Sequence, residues 1–225
     1  MAVLRTAWLI AMKDLRIETR SREMLYTTVF FAVSCVLLLS FAFVREGRVI
    51  EGAAAGILWV AIAFSGTLAL GRTFERERQS ETLRALLLAP AERPAVYLGK
   101  LFGILGLLAV VETVIIPFMV LLDVNLMGAP WILLALLASG TIGFAAVGTL
   151  FAAMLVRSQS RDVLLPVVLY PITLPALVGG MQGTAALFLP EPNIVLAQTW
   201  LSMLIFFDAV FITLALWTFA PVMSE

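Results

Sequence analysis

The chain has 225 residues, 62 % of them hydrophobic and 13 % charged, with a mean hydropathy of +1.04, which excludes an ordinary water-soluble domain. Lys plus Arg and Asp plus Glu stand at 15 each, so the net charge is zero and where the charges lie matters more than their sum. There is no histidine, and the single cysteine, Cys35, sits in an apolar run, which excludes an intramolecular disulfide and suggests no redox or metal framework.

Residues 1–23 are polar and basic rather than an apolar core with a small-residue cleavage site, so they do not read as a leader peptide. On a helix, Leu4, Ala7, Trp8, Ala11, Met12 and Leu15 share one face, with Lys13, Arg16 and Arg20 gathered on the other. That pattern predicts a basic amphipathic helix in the membrane interface, with Trp8, Lys13, Asp14, Arg16 and Arg20 as its candidate functional residues. A plain topology anchor would not need Trp8 or the aliphatic stripe.

Six apolar runs follow that suit a span of about 20 residues: 26–44, 53–70, 96–122, 131–156, 163–178 and 200–219. Thirteen of the fifteen basic residues fall in three clusters between them. These are Arg5, Lys13, Arg16, Arg20 and Arg22; Arg72, Arg76, Arg78, Arg84, Arg93 and Lys100; and Arg157 and Arg161. Only Arg45 and Arg48 lie in the intervening connections, so the positive-inside rule places both termini in the cytoplasm. The expectation is a single all-α domain over 1–225, multi-pass in a bacterial inner membrane.

Between the second and third spans, residues 72–94 form a mixed-charge loop. On a helix, Leu83, Leu86 and Leu87 share a face while Glu77, Glu81 and Arg84 point almost opposite, and Pro90 and Pro94 end it. With Glu75, these residues make a charged ridge with a buriable back, suited to docking a cytoplasmic partner. An ordinary solvated loop helix is the bland alternative.

Within the spans, Glu112 and Asp208 are costly, at about 3 kcal/mol each on insertion scales, and so need a polar neighbour or a role. For Glu112 the simpler reading is a hydrogen bond to a neighbouring helix. Asp208 lies near mid-span, away from Lys100 at the start of the third span, so a neutral acid or a partner-subunit contact would resolve it, and a polar contact at an interface is expected. Gly99 and Gly103, and Gly140, Gly143 and Gly148, read as sites of close helix packing. The fifth span carries Pro166, Pro171 and Pro175, a kinked-helix pattern in which Thr173 is available to a freed carbonyl. Residues 179–198, interrupted by glycines and by Pro190 and Pro192, are expected to form a re-entrant or periplasmic segment.

Several stretches, in order through nearly the whole chain, resemble the CcmB family of haem exporter permeases: KDLRIETRSRE (13–23), GILWVA (56–61), RTF (72–74) leading to LLLAP (86–90), GTIGF (140–144) and PITLP (171–175). One departure is Ser80-Glu81-Thr82-Leu83, which lacks the glycine that the family often carries there. The resemblance implies an ABC-2-like export permease in cytochrome c maturation. In that family the N-terminal helix and a coupling helix after the second span contact a separate ATPase, CcmA. It also implies the haem-handling CcmC, the small membrane protein CcmD and the haem chaperone CcmE as partners.

No P-loop, nucleophile elbow or paired carboxylates outside the charged loops are present, so no catalytic residue is expected and ATP belongs to a partner. Without histidine, and with no axial pair suggested by the methionines, tyrosines or Cys35, haem is expected to be held by a partner too. No metal site and no nucleic-acid partner are expected. Two other functions fit the same residues. A generic ABC-2 exporter for a lipid, glycan or drug would show a large cavity lined by the second and fifth spans. A scaffold passing ATPase motion to a haem-handling partner would show a closed interior and a lateral face rich in Phe and Leu.

Overall fold

The computed structural model describes residues 2–45, 48–50, 52–73, 93–122, 124, 126–156 and 158–222. Seven long helices dominate these residues: α1 (Ala2–Ser21), α2 (Glu23–Phe43), α3 (Ala53–Thr73), α4 (Arg93–Ile115), α5 (Pro130–Met154), α6 (Arg161–Phe188) and α7 (Ile194–Val222). Six of them, α2 to α7, are long and apolar enough to cross a membrane. The connection after α2 forms a two-residue antiparallel pair, Val44–Arg45 against Arg48–Val49. The all-α, six-span architecture read from hydropathy is the architecture observed.

Centrally placed α5 packs against α3, α4, α6 and α7, while α1 lies along α4 and α2 against α3. Small residues make this possible, because helices in an apolar medium gain from close van der Waals approach rather than from expulsion of water. A Cβ on Gly140 of α5 or on Gly180 of α6 would collide with the ring of Trp59, which is buried between them and donates from Nε1 to Thr184 Oγ1 at 3.0 Å. Gly66 of α3 leaves room for Phe144, and Gly148 for Leu70. The glycines of the fourth span are packing surfaces, and each serves a different neighbour.

Helix ends follow local chemistry. Pro117 has no N–H to give, and there α4 tightens into a 3-10 stretch, Ile116–Leu122. Pro130 opens α5 at the position where a missing N–H costs nothing. Asn193 Oδ1 accepts from the backbone N–H of Leu196 at 3.0 Å, capping α7.

Two expectations need correction. Residues 179–198 do not form a re-entrant pair: α6 runs unbroken to Phe188, and α7 begins at Ile194. Glycine costs a helix about 1 kcal/mol, but Gly179, Gly180 and Gly183 here receive Leu204, Trp59, Leu136 and Trp200, and the packing holds the helix. Pro190 and Pro192, in the short turn that follows, make the actual break. In addition, α6 stays helical through Pro166, Pro171 and Pro175, and Thr173 Oγ1 donates to Leu169 O at 2.9 Å. That carbonyl is not one that a proline frees, since the prolines remove the partners of residues 162, 167 and 171.

Candidate functional site

The functional features gather at the end of the bundle that carries the basic residues. Here α1 is docked along the first half of α4. Ala7 and Ile10 meet Gly99, Asp14 meets Gly103, and Leu15 meets Gly106. The docked face is therefore Ala7, Ile10, Ala11 and Asp14, while Leu4 and Trp8 beside it are exposed at 61 % and 59 %. Arg5, Lys13, Arg16 and Arg20 occupy the far side, also exposed. The apolar stripe read from sequence divides, with Ala7, Ala11 and Leu15 turned to α4 beside Ile10, and Leu4 and Trp8 left exposed.

Lys100 of α4 is buried at 2 % exposure, and its Nζ donates to Asp14 Oδ2 at 2.8 Å and to Thr73 O, the last residue of α3, at 3.4 Å. Asp14 Oδ1 also lies 3.1 Å from Lys13 Nζ. One ammonium thus joins α1, the end of α3 and the start of α4, the elements flanking residues 74–92. The α1–α2 junction is held as well. Arg22 adopts a left-handed φ of 56°, and Glu18 Oε1 accepts from the backbone N–H of Leu25 at 2.8 Å, capping α2. Such a φ strains a residue with a Cβ by about 1–2 kcal/mol. Arg22 offsets part of this by donating from Nε to Thr19 O and from Nη1 to the Tyr26 hydroxyl, each at 3.3 Å.

Beside this joint, α2, α3, α6 and the turn before α6 border an open cleft of about 780 Å³. Phe31, Phe64, Leu165 and Tyr170 form its apolar wall, and Arg72, Gln159, Arg161 and Asp162 its polar end. Arg161, 2 % exposed, donates from Nη2 to Leu70 O at 2.9 Å. Phe64 and Tyr170 meet edge to face, with centroids 5.9 Å apart.

Both intramembrane acids face α5. Glu112 is bonded to Thr141 Oγ1, and Ser139 Oγ donates to Asp208 Oδ2 at 2.7 Å. Asp208 Oδ1 is buried with no hydrogen-bond partner among the described residues, next to Gly143. Asp208 therefore makes one polar contact inside this chain, through Oδ2. A hydroxyl on a neighbouring helix is the cheapest partner for an acid with no cation within reach.

The structure brings Asp14 into contact with the joint but leaves Trp8, Arg16 and Arg20 outside it. Pro171, Thr173 and Pro175 belong to the body of α6. The ridge of Glu75, Glu77, Glu81, Leu83, Arg84, Leu86 and Leu87 lies outside the described residues. Sequence reasoning counted Lys100 and Arg161 only as topology markers and missed their burial. For Lys100 a signal existed: it stands between Gly99 and Gly103, where a close-packed helix would trap its charge and demand an acid.

The CcmB protein family model matches residues 5–224 of the chain. Heme exporter protein B of Rhodobacter capsulatus is 28 % identical over 192 residues, covering 82 % of this chain and 87 % of that protein. Its namesake from Paracoccus denitrificans is 28 % identical over 178 residues, 77 % of this chain and 80 % of that one. The Escherichia coli K12 protein of the same name is 31 % identical over 96 residues, 43 % and 44 % of the two chains. The chain belongs to the CcmB family.

Proposed function

We propose that this member of the CcmB family is the membrane permease subunit of an ABC-type complex serving haem export and cytochrome c maturation. ATP is hydrolysed by a separate subunit of the CcmA kind, and haem is held by partners of the CcmC and CcmE kind, with CcmD completing the complex. The basic end of the bundle faces the cytoplasm of a bacterial inner membrane, with both termini on that side. The observation that carries this reading, beside the family itself, is the buried Lys100. It fastens α1 to the two helices that flank residues 74–92, so force applied to that loop or to α1 passes directly into α3 and α4.

A second reading, an exporter that itself passes a lipid, glycan or drug, is favoured by the cavity between the second and fifth spans. The partners distinguish the two. Purified in mild detergent from its own host, the protein should bring down a P-loop ATPase together with haem-handling membrane proteins. Combined Glu77→Lys and Glu81→Lys should reverse the charged ridge and reduce ATPase recovery severalfold. Full ATPase recovery by the double variant, with cytochrome c maturation intact, would remove residues 72–94 as the contact. An ATPase recovered without any haem-handling chain would favour the second reading.

A further inference from the structure

We propose that Asp208 is a proton-binding site within the bundle: its carboxyl is neutral, and in that form it joins α7 to α5. The side chain stands near the middle of α7 and is 9 % exposed. Ser139 Oγ donates to Oδ2 at 2.7 Å, and no donor among the described residues reaches the buried Oδ1. A carboxylate offers about four lone-pair sites, so an ionised Asp208 would rest its charge on a single neutral hydrogen bond. Burying a charge without a paired cation costs far more than burying a neutral acid, and a group so placed takes up a proton instead.

None of the helices packed on α7, which are α4, α5 and α6, brings a cation to this depth. Helix α5 carries no titratable residue, and α7 none besides Asp208. On α6, Arg161 and Asp162 are the first two residues, with Arg161 bonded to Leu70 O, and Tyr170 meets Thr67 of α3. On α4, Arg93 is the first residue, Lys100 is bonded to Asp14, and Tyr97 packs on Phe219, about three turns along α7 from Asp208. Glu112 of α4 is bonded to Thr141. Thr141 follows Ser139 by two residues and so points to nearly the opposite side of α5. The two acids therefore flank α5 and share no proton.

The proton belongs on Oδ1. Ser139 already donates to Oδ2, which marks Oδ2 as the carbonyl oxygen, and placing the hydrogen on Oδ1 removes an acceptor that no donor reaches. A Cβ at Gly143 would stand 2.5 Å from Oδ1 and 3.0 Å from the Phe207 ring, so this oxygen is closed in by its own chain and a cation from a partner has no way to it.

The proton site holds whichever partners the chain has, so it stands or falls apart from ATPase docking. Infrared spectroscopy of the full chain in mild detergent at neutral pH reads it directly. Aspartate isotope-labelled at the side-chain carboxyl carbon keeps Glu112 out of the labelled bands. The unaltered protein should show one labelled C=O band of a protonated carboxyl, and Asp208→Asn should lose it entirely. Ser139→Ala should keep the band but move it to higher frequency, because the carbonyl has lost its hydrogen bond. Finding only ionised aspartate in the unaltered protein overturns the proposal, whether or not Asp208→Asn folds. A protonated band that survives Asp208→Asn, or one that Ser139→Ala leaves unmoved, overturns it too.

Discussion

Helices α5 and α2 are almost equally hydropathic, yet 72 % of the spanning window of α5 is buried within the chain and only 17 % of that of α2. The difference lies in side-chain size. Gly140, Gly143, Gly148 and a series of alanines give α5 a narrow profile that four neighbouring helices approach, whereas α2 carries Phe30, Phe31, Leu38 and Phe41 outward. In lipid, apolarity alone does not bring helices together, because a leucine is as well solvated by acyl chains as by protein. Steric fit and hydrogen bonds decide which helix becomes the core. The scaffold reading expects a closed interior together with an outward face of Phe and Leu; α2 carries such a face, and the interior beside it holds an open cleft.

The strongest break of this contrast is Gly140→Leu in α5. Its new side chain has nowhere to go but into the ring of Trp59, and the loss of stability should exceed about 3 kcal/mol. Thermal unfolding in detergent should register this, while Phe41→Leu in α2, at a position 81 % exposed, stays within about 0.5 kcal/mol of the parent. Matching melting curves for the two variants would refute the burial contrast.

Next in size comes the joint between α1 and α4. Asp14→Ala takes the carboxylate from the buried Lys100 ammonium, and should cost about 3 kcal/mol. Lys100→Met should cost less, about 1 kcal/mol, because Asp14 is 23 % exposed and keeps Lys13. Chemical unfolding of both variants checks the order, and the reverse order would mean that the burial of Lys100 does not govern the joint.

A third pair of variants concerns the intramembrane acids. Ser139→Ala removes the only hydroxyl bonded to Asp208 among the described residues and should cost about 1–3 kcal/mol, whereas Thr113→Ala, exposed and bonded only to its own helix at Ala109 O, should be nearly neutral. Unfolding midpoints measured side by side separate them. Equal effects would mean that Asp208 finds its partner elsewhere.

The family resemblance and the spans were legible because each rests on local chemistry. The end of the fifth span, α6, was not. Gly179, Gly180 and Gly183 break helices in water, but here they are the faces on which Leu204, Trp59 and Leu136 sit, and nothing nearby in sequence announces those partners. Periodicity found the amphipathic character of α1 but grouped Trp8 with Ala7 and Ala11. Hydropathy scores all three as apolar, while only Ala7 and Ala11 lie on the buried side of α1 and Trp8 stays exposed.

By itself, then, the sequence determined that this chain lies in a membrane, has six helices apolar enough to cross it and groups most of its basic residues at alternate connections, since transfer energy and charge act on each segment separately. Tertiary structure decided which helix is the core, that Asp14 neutralises Lys100, that Asp208 turns to Ser139, and that Arg72 and Arg161 border one cavity. Those outcomes depend on distances between residues far apart in the chain, 86 positions for Asp14 and Lys100 and 69 for Ser139 and Asp208, and only packing sets them.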